Sequence, residues 1–469
     1  MSEREFDVII LGAGPAGEVA AGRLGESGLD VAIVEPHLIG GECSFYACMP
    51  SKAMLRPGEL LAEARRIPGV REAVTGDLDV RAVLDRRDEI IHGLDDSHME
   101  PWLEDRGVTI VRAPGRLDGE RRVQAGDETL VARRAVIVAT GSSTLIPPIP
   151  GLDDIKPWTN REATTAKEVP ERLVILGGGV VGVEMAQAYT SFGSQVSLVE
   201  GGDRLLGREE PFASEDVREA LAEKGVEVHL GVRASAVRVE KRDVVAELDG
   251  PAGPLRGEQL LVATGRKLNT DEIGLETVGL EPGRPIEVDD KMRANDWLYA
   301  IGDVNGRALL THMGKYQARV AADVILGEDN TCLVSDGERS PRVIFTDPQV
   351  AAVGYTHDAA ERAGLNVRVV DVPTQSAAGA SFYGRDDARG TTRLVVDEDR
   401  RVIVGATFTG PEVAEFLQAA TIAVVGEVPL ERLFHAIPAF PTRSEIWLYL
   451  LEALGVSGPC YPMLAQQPA

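Results

Sequence analysis

The same unit occurs twice in this chain. VIILGAGPAGEVAAGRLGESGLDVAIVE, from Val8 to Glu35, aligns without a gap on LVILGGGVVGVEMAQAYTSFGSQVSLVE, from Leu173 to Glu200. Each copy reads as a buried strand, a G-x-G-x-x-G turn, a helix, a short glycine-bearing turn and a second strand ending in Glu. A lone G-x-G-x-x-G fits many glycine turns, but chance is a poor account of a whole unit repeated with its acidic terminus. Gly12 and Gly177 permit the tight turn, Gly14 and Gly179 let backbone approach a pyrophosphate, and Gly17 and Gly182 let helix pack on strand. The pyrophosphate then sits on a helix N-terminus, which favours negative charge. Glu35 and Glu200 can each accept hydrogen bonds from a ribose diol. Two units predict two α/β, Rossmann-like domains and two dinucleotides.

The rest of the chain is organised around them. At 469 residues it is too long for a single core. AVIVATGSS (Ala135–Ser143) and QLLVATGRK (Gln259–Lys267) are both apolar strands running into Ala-Thr-Gly. WLYAIGDV (Trp297–Val304) ends a strand in Gly-Asp and puts Asp303 at the carboxyl edge of a sheet, where α/β ligands bind. The expected layout is residues 1–150 and 270–338 in a first dinucleotide domain and 151–269 in a second, entered through the stiff IPPIPG linker. Residues 339–469 form a third domain, an antiparallel sheet with helices. A net charge of −25 disfavours nucleic acid and anionic membrane as partners. No apolar run reaches the roughly eighteen residues that span a bilayer, and the N-terminus lacks a signal-peptide pattern. Four cysteines do not make a disulfide scaffold, so a cytoplasmic setting is expected.

Two of those cysteines, Cys43 and Cys48, stand together in GGECSFYACMPSK. A zinc site would need a second cluster at ligand spacing, which the sequence lacks. A staple closing so small a loop would contribute little. Pro50 suits the first turn of a helix. Cys48 then lies at or just before a helix N-terminus, whose partial positive charge favours a thiolate, as a redox couple requires.

The motifs together carry a resemblance. The first unit, GGEC…CMPSK, ATG at 139, the second unit, ATGRKLN at 263, AIGD at 300, FTDPQVAAVGYT at 345 and FPTRSE near the end occur in one order along the whole chain. In this it resembles the flavoprotein disulfide reductases, or pyridine nucleotide-disulfide oxidoreductases, a family that includes dihydrolipoamide dehydrogenase and mercuric reductase. The resemblance implies FAD at the first unit, with Gly41, Gly141, Lys52, Asp303 and His312 beside it. It implies a nicotinamide dinucleotide at the second, with Gly265 nearby. It implies a C-terminal α+β dimerisation domain and a homodimer whose active sites draw on both subunits. Hydride would pass from the nicotinamide to the flavin and then to a Cys43–Cys48 disulfide, with Cys43 the outer sulfur and Lys52 paired to Glu184. Glu200 favours NAD(H) over NADP(H), with Arg204 the nearest basic residue, and Val180 leaves the flavin pocket open or lightly covered.

One motif departs from the family. Thiol-handling members carry His-Pro-Thr-x-x-Glu, with the His as acid/base and the Glu orienting it. Here Phe440 stands at the histidine position while Glu445 remains. A phenyl ring moves no proton, and general acid–base help is typically worth about 10²–10⁴ in rate. His435, five residues earlier, is a candidate replacement. Cys332 and Cys460 read as incidental. Three functions follow: an NADH-dependent enzyme reducing a disulfide-type small-molecule acceptor; the same machinery serving a quinone, a metal ion such as mercuric ion, or another pyridine nucleotide; or a flavin-binding sensor without turnover. Retention of Cys43, Cys48, Lys52 and Glu184 together argues against the last.

Overall fold

A computed structural model describes residues 3–251, 253–328, 330–383 and 390–458. The chain divides into two compact units: residues 1–58, 78–203 and 224–337 form the first, and 59–77, 204–223 and 338–469 the second.

The first unit holds both repeats. Strands β1 (Glu3–Leu11), β2 (Val31–Val34), β3 (Val108–Val111), β4 (Gly115–Leu117), β5 (Arg122–Ala125) and β6 (Glu128–Val138) form a sheet in the order β3-β2-β1-β6-β5-β4, and Leu298–Ala300 pairs in parallel with the end of β6. The run VIIL of β1 is apolar without alternation because both faces are covered. Val8 and Ile10 enter one core with Val31 and Ile33, while Ile9 and Leu11 enter the opposite core with Ala32 and Val34. The second repeat builds β7 (Arg172–Leu176), β8 (Gln195–Glu200), β9 (Glu227–Leu230) and β10 (Gln259–Val262), all parallel in the order β9-β8-β7-β10. In each sheet the first strand of the repeat is flanked by its own second strand and by the strand leading into Ala-Thr-Gly. The sequence echo is thus an echo of topology.

Seven helices of this unit matter below. They are α1 (Pro15–Glu26), α2 (Gly41–Phe45), α3 (Cys48–Arg66), α4 (Val80–Ile90), α5 (Asn160–Thr165), α6 (Val180–Ser191) and α7 (Thr311–Leu326). Helix α3 runs on from the first unit into the second, the division falling after Gly58.

The second unit carries a five-stranded antiparallel sheet. Its strands β11 (Arg342–Ile344), β12 (Gln349–Gly354), β13 (Val367–Pro373), β14 (Thr391–Asp397) and β15 (Val402–Gly410) lie in the order β11-β12-β15-β14-β13. Helices Leu417–Val425 and Ile446–Ala453 cover one face, with Phe408, Leu394, Leu417 and Leu450 in the core. The helix Pro211–Glu223 belongs to this unit, and Arg342 and Arg393 pair with Glu209 and Glu210 just before it, at 2.7 and 2.9 Å. No helix among the described residues is long and apolar enough to cross a membrane.

The glycine turns show why both repeats keep their third glycine. A Cβ on Gly17 would lie 1.9 Å from the carbonyl oxygen of Gly12, and one on Gly182 lies at the same distance from that of Gly177. The nearest strand side chains, Ile10 and Leu198, stand at an ordinary 3.5 Å. The third glycine therefore makes room for the turn's own carbonyl more than for strand packing. Gly17→Ala and Gly182→Ala should each lower folding stability by about 1–3 kcal/mol, the usual range for an overpacked site. Denaturant midpoints at unchanged slope would check this.

Candidate active site

Each repeat forms the same cradle. Helices α1 and α6 follow directly on Gly14 and Gly179, which cap them without a side-chain hydrogen bond. Their first-turn N–H groups are left for an outside partner, and the helix dipole favours an anionic one. Among the described residues, nothing beyond each glycine's own chain neighbours lies within 4 Å of a Cβ built on it. Each acidic strand end grips its own turn: Glu35 accepts from the N–H groups of Ala13 and His37, both at 2.8 Å. Glu200 accepts from those of Gly178 and Gly202, both at 2.6 Å. Carboxylates so held keep lone pairs for a ribose diol. The two cradles fit two dinucleotides on this geometry.

The cysteines lie beside the first cradle. Gly40, at φ +108°, and Gly41, at φ +55°, turn the chain into α2, and Cys48 is the first residue of α3, so its thiol sits at a helix N-terminus as predicted. Both cysteines are half-buried free thiols. Thr311 Oγ1, from the first residue of α7, is 3.4 Å from Cys48 Sγ. Lys52 Nζ lies 2.7 Å from Glu184 Oε2, joining α3 to α6. Cys48 is pulled down to about 6: the hydrogen bond from Cys43 contributes most, burial opposes it, and the Thr311 hydroxyl and Lys52 charge add to it. Cys43 is pushed up by the same hydrogen bond and by burial. Both shifts favour a thiolate on Cys48 and a thiol on Cys43.

Asp303 stands at the end of Leu298–Ala300, as expected, and accepts from Ser142 Oγ at 2.5 Å. Burial raises it above the usual carboxylate range. Gly141 and Gly265 have φ +71° and +145°, and Ala139 and Ala263 each hold a carbonyl oxygen 2.4 and 2.3 Å from where Cβ atoms on Gly12 and Gly177 would lie. The Ala-Thr-Gly turns thus close on the first glycine of each repeat. His312 is exposed on the first turn of α7, and Val180 is exposed at the start of α6.

Sequence reasoning missed three groups. Glu42 accepts from Asn160 Nδ2 at 2.6 Å and from Arg161 Nε at 2.5 Å. Glu18 on α1 is buried and raised to about 7 by that burial, with Lys315 opposing and Glu35 reinforcing. Arg233 lies against Gly201: a Cβ there would be 2.6 Å from its Nε. Only an acid inside GGEC could have drawn attention to Glu42. The other two have no local signature.

Residues 6–322 match the model of the pyridine nucleotide-disulphide oxidoreductases, and residues 340–450 that of the same family's dimerisation domain. This chain belongs to that family. Family members are enzymes that use FAD and NAD(P). A dihydrolipoyl dehydrogenase of Haloferax volcanii is 32% identical over 466 residues, covering 96% of each chain. A mercuric reductase of Staphylococcus aureus is 29% identical, covering 94% of this chain and 81% of the relative. Among solved structures, LpdA from Mycobacterium tuberculosis superposes with a TM-score of 0.84 at 26% identity, over 97% of this chain and all of the other.

In the second unit Phe440 is 75% exposed. Glu445 is buried, and its Oε2 has no hydrogen-bond partner among the described residues. The ring of His435 meets that of Phe434 edge to face. Cys332 is exposed, and Cys460 lies outside the described residues.

The alkylation rate of reduced Cys48 should rise with pH through about 6 and level off above it, since only the thiolate attacks. Thr311→Val removes a hydroxyl that favours the charged form, so it should move that midpoint upward. Mass spectrometry of the Cys48 peptide after timed iodoacetamide exposure checks both.

Proposed function

We propose that this flavoprotein disulfide oxidoreductase takes electrons from NADH and delivers them through a Cys43–Cys48 disulfide to a small disulfide-type acceptor. The observation that carries this is the Cys48 thiol at the head of α3, drawn down by Cys43, Thr311 and Lys52. Bound FAD would supply the two-electron relay between nicotinamide and disulfide. The chain's own residues do the rest. The first cradle, with Gly12, Gly14, Gly17 and Glu35, holds FAD, and Gly41, Gly141, Asp303 and His312 line its site. Gly177, Gly179, Gly182, Glu200 and Gly265 hold the nicotinamide dinucleotide. Lys52 and Glu184 keep a positive charge near the flavin. Cys48 is the inner thiolate and Cys43 the outer, acceptor-facing thiol. The active form is a homodimer with composite sites; Ile422, Ile437 and Phe440 of the dimerisation domain are large apolar side chains left exposed in the single chain. The setting is the cytoplasm, in keeping with four cysteines in 469 residues.

Phe440 favours a second reading, the same machinery serving a quinone, a metal ion such as mercuric ion, or another pyridine nucleotide. Glu445 is kept, yet the residue it would orient carries no proton. Anaerobic NADH titration separates the possibilities. The disulfide reading expects two reducing equivalents beyond the flavin and a long-wavelength thiolate-to-FAD band that Cys48→Ser abolishes. Bleaching straight to reduced flavin, with no band, would sink it. Phe440→His should raise dihydrolipoamide turnover by up to the roughly 10²–10⁴ that acid–base help supplies, while a wild type already turning over at about 10 s⁻¹ or more would show that Phe440 is no handicap. Glu200 supports NADH. Arg233 is the group a 2′-phosphate would use, so a ratio of kcat/KM favouring NADPH would reverse the preference.

A further inference from the structure

One side chain bridges the residue before Cys43 and the segment between the two cysteines, and Thr164 Oγ1 shares its second anchor, the Tyr46 carbonyl, at 3.0 Å. Asn160, the first residue of α5, is buried. Its Nδ2 carries two protons and has two acceptors: Glu42 Oε2 at 2.6 Å, next to Cys43, and the carbonyl of Tyr46 at 2.9 Å, two residues before Cys48. Its Oδ1 accepts from Thr144 Oγ1 at 2.8 Å and Arg266 Nη1 at 3.3 Å. Donors on one side and acceptors on the other fix the amide's orientation, and every hydrogen-bonding position is used. Arg161 adds its bond to Glu42 and lies over the Tyr46 ring, 4.9 Å from the centroid.

Helix α5 is itself immobilised. Thr159 and Glu162 form a capping box at its start. At its end the fully buried Arg87 of α4 donates to the carbonyls of Thr164 and Ala166, and Tyr189 of α6 donates to that of Ala163 at 2.6 Å. The same polar chain continues through Arg266 and Ser142 to Asp303, with links of 2.9 and 2.5 Å.

We propose that Asn160, with Glu42, is a positioning residue that sets the redox poise of the Cys43–Cys48 pair by clamping the backbone between the two sulfurs. The inference rests on the disulfide reading above. Reducing the pair breaks the S–S bond with two electrons and one proton and leaves a Cys43 thiol and a Cys48 thiolate; bound FAD would supply those electrons in the enzyme, and dithiothreitol supplies them in the test below. A clamped segment denies the dithiol the freedom it would gain when that bond breaks. The clamp therefore favours ring closure and keeps the couple strongly reducing. Loosening it lets the sulfurs drift apart and stabilises the dithiol.

The experiment equilibrates the flavin-loaded protein in mixtures of oxidised and reduced dithiothreitol, then alkylates and counts trapped Cys43 and Cys48 by mass spectrometry. This reads the couple without turnover. Asn160→Ala should shift the thiol–disulfide constant toward dithiol by about tenfold, equivalent to a rise of about 30 mV. Glu42→Ala, at a half-buried position, should shift it about threefold. Glu42→Gln, which still offers Asn160 an acceptor oxygen, should stay within about twofold of wild type. If both alanine variants match wild type, or shift toward disulfide, the clamp is wrong while the disulfide reading stands. If wild type forms no Cys43–Cys48 disulfide at any ratio, both are overturned.

Discussion

Two backbone carbonyls govern this protein. Those of Gly12 and Gly177 occupy the space that a side chain on Gly17 and Gly182 would need. With that space surrendered, the chain can leave a buried strand, turn once and start a helix directly over the strand's end. The helix then opens with unpaired N–H groups above the carboxyl edge of a parallel sheet, and no side chain intervenes. Everything that suits the site to a dinucleotide follows from that approach: the anion-ready helix end, the acidic residue that closes the next strand, and the Ala-Thr-Gly turn packed against the first glycine.

Charge is handled in a consistent way around these cradles. Glu35 and Glu200 are each held by two backbone N–H groups of their own turn. Glu184 is buried and faces Lys52. The Cys48 thiolate is favoured by a neighbouring thiol, a hydroxyl and the Lys52 ammonium. Buried charge without such support would shift to its neutral form. Glu18, whose Oε1 has no hydrogen-bond partner among the described residues, is raised by its burial, as is Asp303.

Much of this was legible in the sequence because the information is local. Glycines at fixed offsets and an apolar run without alternation specify the turns and the covered sheet. A proline two residues after Cys48 specifies the helix start. What escaped was long-range or stereochemical. Asn160 reaches Glu42 across 118 residues and lies in a stretch that reads as an ordinary capped helix. Arg233 meets Gly201 through a fold contact that no spacing announces. The grouping of residues 59–77 and 204–223 with the C-terminal sheet likewise depends on where helices come to rest. Phe440 was conspicuous as a departure, but the unsatisfied oxygen of Glu445 needed coordinates.

Helix α5 lies just past the Pro-rich link, at the head of the stretch that reads as the nicotinamide module, yet its Asn160 is bonded to Glu42 and Tyr46 of the cysteine loop. The boundary between the two modules is therefore not a clean seam for recombination. A chimera that takes a relative's nicotinamide module from residue 151 onward would also import a foreign floor for the cysteine loop. Exchange after Ala166 would leave Asn160 with its native Glu42, Tyr46 and Thr144 and keep the carbonyls gripped by Arg87, while the partners at 189 and 266 would come from the relative. For this architecture the practical unit of inheritance begins after α5 and needs a tyrosine at 189 and an arginine at 266.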